Sequence, residues 1–161
     1  MKTTDNWTIL RIIFAGLLVG TLDIAAAFID YYIATGKGPE GVLKFIASGV
    51  FGMDAFSGGA GMIFAGLLFH FIIAVGFTIL YFWLYAKVKF LSGKPIVFIL
   101  LYALFMWSVT HLVVMPLSKV PLEGRTDLEL WKIIKANLIL IFMICVPLTL
   151  MARKCFPGKS K

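Results

Sequence analysis

The chain of 161 residues carries only two histidines and eight carboxylic acids, and the members of that set best placed for chemistry fall inside long apolar runs. Asp23 and Asp30 lie in one run, His70 in a second, Ser108 and His111 in a third, and Asn137 in a fourth. An ionisable group at membrane depth is costly unless it is paired, neutralised or reached by water. Groups in that position bind something, move protons or fasten helices. Gly16, Gly20, Asp23, Ala27 and Asp30 follow one another at spacings of 4, 3, 4 and 3, which puts them on one helix stripe that should face protein and not lipid. Gly66, His70 and Ala74 repeat the pattern at one-turn spacing with a titratable group at the centre. Ser108 and His111 also lie one turn apart.

Three chemistries fit these residues. Asp23 with His70 or His111 makes a site that senses or relays protons or binds a small solute. The same groups, with Asn137, make hydrogen-bonded clasps between helices of a structural or partner-binding subunit. Two imidazoles invite a haem, and Asp23, His70 and His111 together invite a divalent metal. Against haem, a rise of 1.5 Å per residue places the two histidines at levels roughly 9 Å apart. Against a metal, no two ligands are closely spaced in sequence. No nucleophile comes with a paired base, no Gly-rich phosphate loop enters a helix, and no zinc-protease pattern is present. The residues therefore fix no reaction, and no resident cofactor is expected. Asp30 reads as an interfacial, solvated carboxylate, and the Gly16 to Gly20 step as helix packing.

The elements that must carry these groups are membrane helices. Hydrophobic residues make up 61% of the chain and charged residues 14%, with a mean hydropathy of +0.98, whereas a soluble domain carries about a quarter charged residues. Soluble enzyme folds are excluded. Four spans are long enough to cross about 30 Å of hydrocarbon: residues 9–33, 60–85, 95–115 and 130–152. Because every backbone polar group in lipid must be satisfied within its own segment, each should be a helix. The expected fold is an all-α, polytopic bundle of four transmembrane helices forming a single membrane domain over residues 1–161. A signal peptide ending near Ala25, Ala26 and Ala27 is the rival for the first span, but apolar character continues to Ile33, too long for an h-region.

Orientation follows from the cations. Lys2, Arg11, Lys87, Lys89, Lys94, Arg153, Lys154, Lys159 and Lys161 share one side, opposed by Asp5, while the other side carries Lys37, Lys44, Lys119, Arg125, Lys132 and Lys135. Nine against six puts both termini in the cytoplasm. Trp7 and Trp83 then lie near the inner interface, and Tyr31, Tyr32 and Trp131 near the outer one. The net charge of +7 has its source in these loops, so the bilayer and not nucleic acid is the expected partner. Counted from the cytoplasmic edge, Asp23 and His111 fall at roughly 21 and 24 Å; counted from the outer edge, Asn137 and His70 fall at roughly 20 and 15 Å. Those depths predict one polar network open toward the outside. Cys145 lies in the last span and Cys155 beyond it, and both read as free thiols.

The connections differ in kind. Gly36 to Gly41 (GKGPEG) forms a turn, and Val42 to Phe56 is apolar but too short and Gly-interrupted to cross, so it reads as an interfacial or re-entrant segment. Pro116 and Pro121 should end the third helix, and Glu123 to Leu130 (EGRTDLEL) should begin a surface turn leading into the fourth. Gly58, Gly59, Ala60 and Gly61 open the second span, where backbones can approach closely. That surface or the Gly16 stripe is a candidate contact in a homo-oligomer or with a membrane partner.

The third span and its exit, HLVVMPLSKVP from His111 to Pro121, follow a second span that carries His70 in FHFIIAVGFTILYF and ends in a basic turn at Lys87, Lys89 and Gly93. A His-bearing helix paired with a His-to-Pro-Leu helix resembles the YagU-like family of uncharacterised bacterial inner-membrane proteins, over about Gly58 to Pro121. The resemblance implies a bacterial inner-membrane location, no established activity, and a watch on His70, His111 and Pro116. Members of that family have a longer first extramembrane loop, which is compact here.

Overall fold

Apolar runs of this length hydrogen-bond their own backbones, and helix is the only regular structure among the residues described by the computed structural model: 3–88, 93–121 and 129–155, with 3–8 as backbone alone. Six helices follow in order: α1 Thr3–Thr35, α2 Glu40–Phe51, α3 Asp54–Ser57, α4 Ala60–Lys87, α5 Pro95–Leu117 and α6 Leu130–Cys155. Four of them hold stretches long and apolar enough to cross a membrane: Ile9–Thr35, Ala60–Lys87, Pro95–Leu117 and Leu130–Cys155. The spans read from sequence start at the same residues and end two or three earlier. The protein is an all-α, four-helix membrane bundle. Large apolar side chains cover its outside, as at Leu117 (82% exposed), Ile33 (77%) and Ile96 (72%), a surface that lipid accepts and water does not. The expected turn at Glu123 falls outside the described residues up to Leu128, as do Lys2, Lys89, Arg125, Lys159 and Lys161 and the side chain of Trp7.

Helix α1 packs between α4 and α6. Its small-residue stripe makes this close: a Cβ on Gly20 would meet the Ala74 methyl and the Phe71 ring at 3.1 Å. The stripe is thus an internal seam.

The end of the bundle where α1 begins and α6 finishes, termed here the basal end, is solid. Val19, Tyr81, Phe82, Tyr85, Phe98, Tyr102, Ile144 and Leu148 are buried there in one cluster. Tyr81 stacks on Phe98 with ring centres 4.7 Å apart and meets Tyr102 edge-on at 4.8 Å, both favourable aromatic geometries. Tyr102 donates to the Phe77 carbonyl at 2.6 Å, and Tyr81 and Thr149 pair at 2.5 Å. Thr149 in turn donates to the Cys145 carbonyl at 2.7 Å.

Both α5 and α6 widen into a π turn, over Thr110–Val114 and Leu140–Cys145. The closing bonds span five residues, from the Met115 N–H to the Thr110 carbonyl and from the Val146 N–H to the Ile141 carbonyl. Each π turn ends two residues before a proline, Pro116 in α5 and Pro147 in α6. Proline has no N–H for the preceding turn and its ring presses on that turn's carbonyl; the wider winding relieves the clash. Pro116 therefore sits inside the last turn of α5, which runs on to Leu117, instead of ending the helix at that point.

The segment after α1 is helical and docked. Helix α2, twelve residues or about 18 Å long and too short to cross, buries Leu43, Ala47 and Ser48 and lies against α4. At the crossing Gly66 touches the Leu43 backbone so closely that a Cβ would fall on its carbonyl. Around Gly59 and Gly61, by contrast, a Cβ would meet nothing within 4 Å. The close backbone approach expected at the head of the second span is displaced one to two turns inward, because α2 lands there.

Candidate functional site

The half of the bundle opposite the basal end is hollow. A cavity of about 770 Å³ lies among all four spans, with Val42 and Ile46 of α2 as a fifth wall. It reaches the surface at Ala34 and Lys132, both exposed, and its floor is Phe77, Met106 and Ile144, directly on the basal cluster. The stripe of α1 supplies Asp23, Ala27 and Asp30; α4 supplies His70, Ile73 and Ala74; α5 supplies Trp107, Thr110 and His111; α6 supplies Lys132, Lys135 and Ile139. Both π turns border this space, through Thr110 and His111 on one helix and Leu140 and Ile144 on the other.

Each histidine is fixed by one ring nitrogen. His70 Nε2 lies 2.8 Å from the Gly20 carbonyl, and His111 Nδ1 lies 3.0 Å from the Trp107 carbonyl. A carbonyl only accepts, so these two nitrogens carry hydrogens. In the neutral rings the lone pairs fall on opposite atoms, Nδ1 of His70 and Nε2 of His111. His111 also stacks on Trp107, ring centres 4.7 Å apart and planes 19° from parallel. Its backbone lies in the π turn, where the i−4 carbonyl remains within reach of the ring.

Asp23 sits one turn along α1 from Gly20, so the carbonyl that holds His70 brings that ring within electrostatic reach of the Asp23 carboxyl. Two turns further, roughly 10.5 Å at 1.5 Å per residue, Asp30 accepts from Lys135 Nζ at 2.6 Å. Lys132, at the rim, pairs with Glu129 at 3.2 Å. The wall therefore carries its titratable groups at two levels, the Lys135–Asp30 ion pair near the mouth and, at depth, Asp23 within electrostatic reach of His70.

Of the residues singled out from sequence, Asp23, Asp30, His70 and His111 line this one cavity. Asn137 does not line it; its Nδ2 donates to the Ile133 carbonyl of its own helix at 3.0 Å. Ser108 and Pro116 also lie outside its lining. Asp30, expected to be solvated at the interface, keeps 41% of its side chain exposed and is also paired with Lys135. Lys132, Lys135, Trp107 and Tyr31 are lining residues that sequence reasoning did not single out. A signal for the lysines was present, since Lys132, Lys135, Ala136 and Ile139 share one helix face. Among the described residues no three His, Cys, Asp or Glu side chains are grouped to hold a metal ion.

Fold and cavity together define an all-α membrane protein with a largely apolar chamber, set with a few ionisable groups, in one half of a four-helix bundle. Comparison with protein-family models, curated proteins and solved structures gave no significant match.

Proposed function

We propose that the protein is a non-enzymatic binder of a small solute, held in the cavity among its four spans, with Asp23, His70 and His111 as the groups that read the solute or its protons. The observation that carries this reading is the cavity itself: about 770 Å³, within the range of small-molecule sites, mostly apolar and set with a few convergent ionisable groups. The solid basal half favours a chamber with a single entrance over a through-path. By the cation count, and by the resemblance to the YagU-like family, the location proposed is the bacterial inner membrane with both termini cytoplasmic and the chamber facing outward.

A panel of small amines, carboxylates and zwitterions screened by thermal shift in detergent tests the reading. Ala27 lines the cavity between Asp23 and Asp30, and Ala27→Trp should fill it. Solutes that raise the unfolding midpoint of the wild type but not of Ala27→Trp support binding in the chamber. A panel in which no compound distinguishes the two proteins overturns it.

One observation favours a second reading, in which the polar residues fasten helices: the bond from His70 to the Gly20 carbonyl joins α4 to α1. Under that reading His70→Phe should lower the unfolding midpoint while solute response stays absent.

A further inference from the structure

We propose that the ligand of the chamber is an organic cation, an amine or quaternary ammonium with an apolar body, and that Asp23 is its counter-ion. The inference deepens the solute-binding reading and rests on it.

The charges on the wall carry the argument. Asp30 is committed to Lys135 at 2.6 Å, and Lys132 has Glu129 at 3.2 Å. His70 and His111 each give a ring N–H to a backbone carbonyl. Asp23 is left as the lining carboxylate with neither a hydrogen bond nor an ion pair among the described residues. A carboxylate held away from bulk water, with an imidazole in electrostatic reach but no hydrogen bond or ion pair, is costly to keep charged, and a guest that supplies the opposite charge offsets that cost. Neutral and anionic guests do not.

The rest of the wall suits the body of such a guest. Phe77 and Trp107 bring aromatic rings to the lining, a side-chain type that attracts cations, and Ile73 and Ile139 supply apolar surface. The roughly 10.5 Å between the levels of Asp23 and Asp30 accommodates a body one or two rings long without disturbing the Asp30–Lys135 pair.

Proton and guest then compete for one carboxylate. The titratable or charged groups that share the chamber with Asp23 are His70 from α4, His111 from α5, Lys132 and Lys135 from α6, and Asp30 and Tyr31 on its own helix; α2 contributes only Val42 and Ile46. A proton taken up by the Asp23 carboxylate, or by an imidazole facing it, cancels the negative charge that a cation would meet. Binding should therefore weaken as pH falls.

Two probes of equal shape and opposite charge test this, tetraphenylphosphonium and tetraphenylborate, titrated calorimetrically into the full chain in detergent at pH 8 and pH 5.5, with detergent alone as blank. The expected result is that the phosphonium binds at least tenfold more tightly than the borate, and more weakly at pH 5.5. Asp23→Asn should weaken it at least tenfold, and Asp23→Glu should retain it. Equal or tighter borate binding, or phosphonium binding indifferent to Asp23→Asn, with both ions lost in Ala27→Trp, overturns the cation inference and leaves the chamber reading standing. Failure of both ions to bind, or equal binding to Ala27→Trp, overturns both. If Asp23→Asn does not fold, the opposed ions on the unaltered protein decide alone.

Discussion

Nζ of Lys135 lies 2.6 Å from Oδ1 of Asp30, and this contact ties α6 to α1 across the mouth of the chamber. The two side chains are 40% and 41% exposed, so water screens the pair and limits it to roughly 0.2–1 kcal/mol. Lys135→Met should therefore lower the unfolding free energy in detergent by no more than about 1 kcal/mol, and the reversed pair, Asp30→Lys with Lys135→Asp, should recover it. A loss of several kcal/mol would show that water does not reach the mouth.

A different cost attaches to Gly66. Any side chain there collides with the Leu43 carbonyl, which is backbone and cannot swing aside. Gly66→Ala should push α2 off α4 and destabilise the protein by about 1–3 kcal/mol, whereas Gly61→Ala, with open space around it, should be within about 0.5 kcal/mol of wild type. Thermal unfolding of the two variants checks the contrast, and equal behaviour would remove α2 from the position described.

The hydroxyl chain at the basal end predicts an asymmetry. Because Thr149 donates to Cys145, the proton between Tyr81 and Thr149 belongs to Tyr81. Tyr81→Phe leaves Thr149 satisfied and should cost about 1 kcal/mol, while Thr149→Val strands a buried phenol and should cost about 1–3 kcal/mol. The reverse order in unfolding experiments would mean that the bond runs the other way.

Haem or metal binding gives a fourth prediction. A ligand to His70 or His111 must use the nitrogen not already given to Gly20 or Trp107, and no third acidic or thiolate group among the described residues completes a cluster with them. Protein purified in mild detergent should be colourless and free of stoichiometric metal. A Soret band or bound metal that disappears in a His70→Ala, His111→Ala double variant would make those histidines ligands.

The four spans were legible because hydrocarbon thickness dictates a length that few other structures need. Asp23, His70 and His111 stood out for a related reason: an ionisable residue in such a run has to be explained. Lys132 and Lys135 did not, because they begin the fourth span and were counted among loop cations, although their helix face turns them into the chamber. The docking of α2 was also hidden. A short apolar helix has the same sequence whether it lies on a membrane surface or on a neighbour, and the decisive contact is a backbone against Gly66. Asn137 misled because an amide in lipid can satisfy itself on its own helix, as it does at the Ile133 carbonyl. Finally, Pro116 and Pro147 marked the π turns, but a proline predicts a disturbed turn without saying which way the helix yields.

Each π turn inserts one residue beyond regular α winding, and α-helical residues advance by about 100°. Everything beyond Val114 in α5 and beyond Cys145 in α6 is thereby rotated out of phase with what precedes it. A chain built on the same plan without those turns would match this one only if a single-residue gap were opened inside each of two membrane helices, where insertions are least expected. Deleting one residue from Leu140–Cys145 would accordingly restore regular winding and keep the Thr149 hydroxyl facing Tyr81, whereas one residue deleted from the regular stretch Leu130–Ile139 would turn the two parts of α6 against each other by about 100°.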